Sequence, residues 1–208
     1  MTSPATSIRI QAICSELFWA ARLNLLWIVF TLLGGVILGL GPATVAAYTL
    51  ARRHVRGESI QGWAPFWAVY RREFVRGSVL VLPVAALVTL LLAEHAYFAA
   101  SGALGPRIAT DVALALLAAA GVYLVPLYAH YDLPPWACLP KASLLALTRP
   151  ASTVLLLFGL SAIVYVTSAA PLLAPVISFG AWICLNTWLC LRFFEENEAR
   201  LHSKGNNP

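Results

Sequence analysis

The sequence predicts an all-α fold: an integral membrane bundle of about five transmembrane helices, with amphipathic interfacial helices on the cytoplasmic side. Three observations predict it. Apolar residues make up 60% of the 208-residue chain and charged residues only 11%, whereas a soluble domain carries about 25% charged and about 45–50% apolar residues. The apolar excess belongs against lipid. Five apolar stretches, 23–40, 78–97, 112–130, 151–170 and 172–191, approach or reach the roughly 20 residues a helix needs to cross a bilayer. The cations, finally, are concentrated in alternate connecting segments.

The first span, Leu23–Leu40, is expected to stop at Gly39, Gly41 and Pro42, because proline cannot continue a helix without losing a hydrogen bond. Its apolar run is too long for the core of a cleavable signal, so it reads as a permanent span. Segment 43–56 is expected to lie along the membrane. There Thr49, Arg52, Arg53 and Arg56 recur at i, i+3, i+4 and i+7 as one polar stripe, and Gly57 ends it. A second interfacial helix, 64–76, follows. Trp63, Phe66, Trp67, Tyr70 and Phe74 form an aromatic stripe at helical spacing, and Arg71, Arg72 and Arg76 fill the remaining arc. Rings with a polar edge settle at the headgroup level, and each arginine near an anionic leaflet adds about 1 kcal/mol of attraction. This element is therefore expected to contact lipid headgroups or dock a partner.

Spans 78–97 and 112–130 contain Pro83 and Pro126, kinks that a membrane bundle tolerates. Segment 139–148, with Pro140 in its first turn, reads as a third surface helix. Trp136-Ala137 precedes Arg149 by the same distance as Trp63-Ala64 precedes Arg76, a repeated architectural solution. Pro171 and Pro175 make the last two spans a tight hairpin.

Segment 41–77 holds six cations, segment 131–150 two and the C-terminal tail three, eleven in all, against Arg9, Arg22 and Arg107 on the other side. This asymmetry predicts a cytoplasmic location for the eleven, with the N-terminus outside and the C-terminus inside. The net charge of +5 lies between apolar spans, which points to membrane lipids as partners and not to nucleic acid.

No metal-ligand spacing joins Cys14, Cys138, Cys184 and Cys190, and no disulfide is expected. Glu94, His95, Asp111, His130, Asp132 and Arg192 all fall near span ends. A proton relay or ion-coupled carrier needs an ionisable group deeper in the membrane. The deeper polar groups are two amides, Asn24 and Asn186, expected to form interhelical hydrogen bonds worth about 0.6–2 kcal/mol. Ser-His-Asp, zinc-protease and phosphate-loop patterns are lacking. No catalytic, cofactor-binding or metal-binding residue is assigned, and no enzyme is expected. A lipid-directed activity using His130 and Asp132 is the weakest of the readings.

Asn24-Leu25-Leu26-Trp27, then Gly41-Pro42-Ala43-Thr44, a small-residue helix ending near Arg56-Gly57, and Phe66 and Phe74 ahead of the second span together resemble the YesL family (domain of unknown function 624). The resemblance covers Leu17 to about Val81, and it rests on Asn24, Trp27, Gly41, Pro42, Ala43 and Thr44. It implies a small multi-pass protein of the bacterial cytoplasmic (inner) membrane, with an accessory role beside sugar ABC importers and no established catalytic residue. The chain lacks the E-A-A-type coupling loop of a permease subunit. The expected function is thus a non-catalytic accessory or assembly partner of a transport system, with carbohydrate ABC import the system that the resemblance implies. The alternative, a small oligomeric transporter or channel, requires Asn24 and Asn186 to face each other or a cavity.

Overall fold

The computed structural model describes residues 4–131, 133–169 and 179–205. These form α1 (Pro4–Leu33), α2 (Ile37–Val55), α3 (Ala64–Arg72), α4 (Phe74–Ser101), α5 (Leu104–His130), α6 (Pro135–Thr148), α7 (Pro150–Ala169) and α8 (Phe179–Gly205), with no strand among the described residues. Cys14–Leu33 within α1, and all of α4, α5 and α7, are long and apolar enough to cross a membrane. The most apolar windows of α4 and α7 are only 11% buried, so their apolar surface faces outward, as lipid requires. The chain is a helical membrane bundle. Of the expected span 172–191, residues 172–178 lie outside the described residues and the rest is the start of α8.

The first apolar helix ends earlier than the Gly–Pro pair predicts. The N–H of Val36 donates to the Thr31 carbonyl (2.9 Å) and that of Gly35 to Leu32 (3.0 Å), with Gly35 left-handed at φ 73°. This is a Schellman stop, a conformation that glycine adopts without steric cost. Pro42 sits instead inside α2. Its missing N–H would leave the Leu38 carbonyl without a partner, and Ser78 of α4 supplies one, its hydroxyl donating at 3.1 Å. A neighbouring helix repairs the lost bond, which is how a bundle keeps an internal proline.

Helix α2 is also the largest correction to the expected layout. Segment 43–56 does not lie on the surface: Ala43, Ala46, Ala47 and Leu50 are fully buried, and α2 packs against α1, α3, α4, α5 and α8. Its polar stripe is satisfied within the fold at Thr49 and Arg52, while Arg53 pairs with Glu58 at the surface and Arg56 is exposed. Thr44 and Thr49 hydroxyls donate to the Leu40 and Val45 carbonyls, and Arg52 reaches the Ala129 carbonyl on α5. Small side chains then let neighbours approach closely. At one such close approach Gly41 meets the backbone of Gly77 on α4.

The hairpin between α1 and α2 also overturns the expected sidedness of the first helix. Arg22 donates to the Ile60 and Gly62 carbonyls, Trp19 stacks on His54 at 4.3 Å, and Glu16 lies 3.2 Å from His54. The N-terminal half of α1 therefore stands at the same end of the bundle as Arg52–Gly62, not at the opposite one. Arg149, donating to the Phe193 carbonyl at 3.4 Å, holds the end of α6 against the middle of α8. Helix α6 starts earlier than 139, because Pro135 suits the first turn of a helix.

Candidate functional site

Where α2, α4 and α5 meet the segment leading into α6, the chain forms an open cavity of about 570 Å³. Three arginines line it: Arg52 from α2, Arg72 from the end of α3 and Arg76 from the start of α4. Each is placed by the local fold. Arg52 is pinned to the Ala129 carbonyl. Arg72 donates through Nε to Glu73 Oε1 at 2.9 Å, and Tyr128 donates its hydroxyl to Glu73 Oε2 at 2.6 Å. Glu73 is 8% exposed, and both its oxygens are engaged, so it acts as a buttress inside the cluster. Val75, Val79 and Trp136 complete a partly apolar wall. The arrangement can hold an anion beside an apolar group. Among the described residues no group of three His, Cys, Asp or Glu side chains could hold a metal ion.

The expected aromatic docking stripe is mostly turned inward. Phe66 and Tyr70 are buried against Phe30 of α1, with ring centroids 4.9 and 5.2 Å away. Trp67 stacks on Tyr70 at 5.8 Å, and Phe74 meets Tyr70 edge-on. Burial pushes the Tyr70 phenol up from its ordinary value. Trp63, by contrast, is 62% exposed, and Arg56 and Arg71 are also exposed. Arg53 pairs with Glu58. The interfacial helix expected over 64–76 breaks at Glu73, where α3 gives way to α4.

The motif residues build joints between helices. Trp27 donates its indole N–H to Thr44 Oγ1 at 3.1 Å, tying α1 to α2; Gly41 ties α2 to α4; Asn24, 1% exposed, abuts Gly180 of α8. Asn186 donates from Nδ2 to Tyr48 Oη (2.8 Å) and the Val122 carbonyl (3.0 Å), and Oδ1 accepts from Cys190 Sγ. It is an interhelical clamp. Asn24 and Asn186 do not face each other: Asn24 lines a separate cavity of about 710 Å³, walled largely by apolar residues of α1, α7 and α8.

At the far end His95 and Asp111 approach to 2.7 Å, joining α4 to α5. His130 meets Tyr131 edge-on; Asp132, its expected partner, lies outside the described residues. Sequence reasoning missed Glu73 and Tyr128 as members of the arginine cluster. The available signal was an acid between two basic residues, Arg72 and Arg76, but only the packing of α5 brings Tyr128 to it.

Comparison with known proteins places these joints in a wider set. Residues 20–95 match the model of a family described as "Protein of unknown function, DUF624". The chain is 32% identical over 196 residues to the uncharacterized protein YesV of Bacillus subtilis, covering 92% of this chain and 94% of that one. It is 31% identical over 148 residues to the uncharacterized protein YesL of the same organism, covering 70% of each. No solved structure matches the chain. The matched region contains Asn24, Trp27, Gly41–Thr44 and Gly77.

Proposed function

The chain belongs to the DUF624 family together with YesL and YesV, and on that premise we propose that it is a non-catalytic accessory protein of the bacterial cytoplasmic membrane, acting as an assembly partner of a transport system. Its arginine-rich end, including both the N-terminal half of α1 and the end of α8, faces the cytoplasm. The observation that carries this orientation is the pair of bonds from Arg22 to Ile60 and Gly62. With α1 folded back on α2, thirteen of the fourteen Lys and Arg residues stand by backbone position at one end and Arg107 at the other. A bias of that size favours the cytoplasmic side.

The contact surface in this reading is what remains exposed of the aromatic–arginine element: Trp63 with Arg56 and Arg71. Tryptophan and arginine are residue types enriched in protein–protein contacts. The resemblance makes a carbohydrate ABC importer the first partner to test. Two features support an accessory role over a conducting one: Asn186 is consumed as a clamp, and the cavity at Asn24 has a largely apolar wall. The test is purification in native lipid from wild type and from a Trp63→Ala/Arg71→Ala variant. Transport subunits should co-purify with the wild type and be depleted with the variant. Identical partners in both, or solute flux through proteoliposomes holding this chain alone, would defeat the reading.

A further inference from the structure

We infer that the arginine-lined cavity at the α2–α4–α5 junction is a binding site for the headgroup of an anionic phospholipid. The inference concerns residues other than the partner surface above and does not depend on it. Four observations converge. Arg52, Arg72 and Arg76 come from separate turns of the fold onto one cavity, with Glu73 as the sole carboxylate among the described residues of its wall, so the formal charge of those residues is three positive against one negative. Glu73 is already engaged by Arg72 and Tyr128, which leaves it the support of the cluster and not a competitor for an incoming cation. A guanidinium carries five donors, so Arg72 can hold Glu73 through Nε and still present its terminal nitrogens to a phosphate. Phosphate oxygens are the group such forks recognise.

The second half of the ligand is written in the apolar wall. Val75 and Val79 stand one helical turn apart on α4 and line the cavity. They are 71% and 58% exposed, and α4 continues from them as an apolar helix long enough to cross a membrane. A soluble phosphorylated metabolite gains nothing from such a strip, whereas an acyl chain running down α4 from the headgroup covers it. Trp136, 80% exposed at the rim, supplies the amphipathic ring that settles at the headgroup level. The cavity lies where α4 begins and α5 ends, the depth a phospholipid headgroup occupies, and basic pockets between membrane helices are established headgroup sites. The volume of about 570 Å³ lies within the range of sites for small organic groups.

The test uses the whole chain in nanodiscs of phosphatidylcholine, alone or with phosphatidylglycerol or cardiolipin, read by native mass spectrometry and by thermal stability. Anionic lipid should be retained on the protein and raise its unfolding temperature, and phosphatidylcholine should do neither. An Arg72→Gln/Arg76→Gln variant should lose about thirtyfold in affinity for the anionic lipid, from two arginines at roughly fivefold each. Arg53→Gln/Arg56→Gln, which removes the same charge outside the cavity, should lose far less. Arg76→Gln alone, at an exposed position, repeats the measurement should the double variant fold poorly. Equal retention of neutral and anionic lipid would overturn the proposal, as would equal loss in the Arg53/Arg56 variant, which would indicate diffuse surface attraction. Displacement of the lipid by millimolar inorganic phosphate at constant ionic strength would also overturn it, by assigning the cavity to a soluble phosphate compound.

Discussion

Gly41→Ala is the sharpest probe of how this bundle is built. A β-carbon there would lie 2.4 Å from the Gly77 carbonyl oxygen, 2.6 Å from its carbon and 2.7 Å from Ser78 Cα, where ordinary contact begins at 3.4 Å. All three atoms are backbone, so no rotamer change relieves the clash and α4 must retreat by about 1 Å. Overpacking of this kind costs about 1–3 kcal/mol. Retreat also weakens the Ser78 bond to the Leu38 carbonyl, the acceptor that Pro42 deprives of its normal donor, and an unsatisfied buried carbonyl costs about 1–3 kcal/mol. Against these stands alanine's advantage over glycine within a helix, roughly 0.5–1 kcal/mol. The balance is a loss of about 2–4 kcal/mol, which for a chain of this size lowers the unfolding temperature by about 5–15 °C. Fluorescence-detected size exclusion of detergent-solubilised protein after a heating series measures it. Gly121→Ala, where nothing lies within 4 Å of the added carbon, is the control and should be neutral or slightly stabilising. If Gly41→Ala unfolds at or above the wild-type temperature, the close α2–α4 crossing is not what holds these helices.

Three further outcomes follow from the same packing. Phe66→Ala, at a fully buried ring, should destabilise the chain by about 3–5 kcal/mol, while Trp63→Ala should stay within about 0.5 kcal/mol; equal effects in a heating series would contradict the inward turn of the stripe. Asn186→Leu removes the donor shared by Tyr48 and Val122 and should cost about 1–3 kcal/mol, a value that a wild-type-like melting curve would exclude. In single-cysteine variants, exposed Cys14 should react with an impermeant maleimide in inside-out vesicles and not in intact cells. Buried Cys138, whose thiol burial pushes up, should stay unlabelled at pH 9 until the protein is unfolded; labelling of Cys14 in intact cells would reverse the proposed orientation.

Much of this protein could be read from its residues, because lipid imposes a single demand, long apolar helices with charges at their ends, that composition and length report directly. Spans 78–97 and 112–130 fall within α4 and α5, and residues 151–169 of the span 151–170 within α7, for that reason. The motif Asn24–Thr44 was visible as a pattern, and the family match extends over it. What the pattern could not convey was its use: a polar stripe on 43–56 looks the same whether water or neighbouring helices satisfy it. Only the tertiary structure decided that α2 is interior, because its acceptors and donors, Leu38 with Ser78, Tyr48 with Asn186 and Arg52 with Ala129, lie at separations in the chain that no local periodicity contains. The same holds for the reversal at Gly35, which moved the start of the first helix to the arginine-rich end, and for the cluster of Arg52, Arg72, Glu73, Arg76 and Tyr128. Local sequence sets which helices can form and which surfaces tolerate lipid; long-range hydrogen bonds and close glycine contacts set which of them become the core.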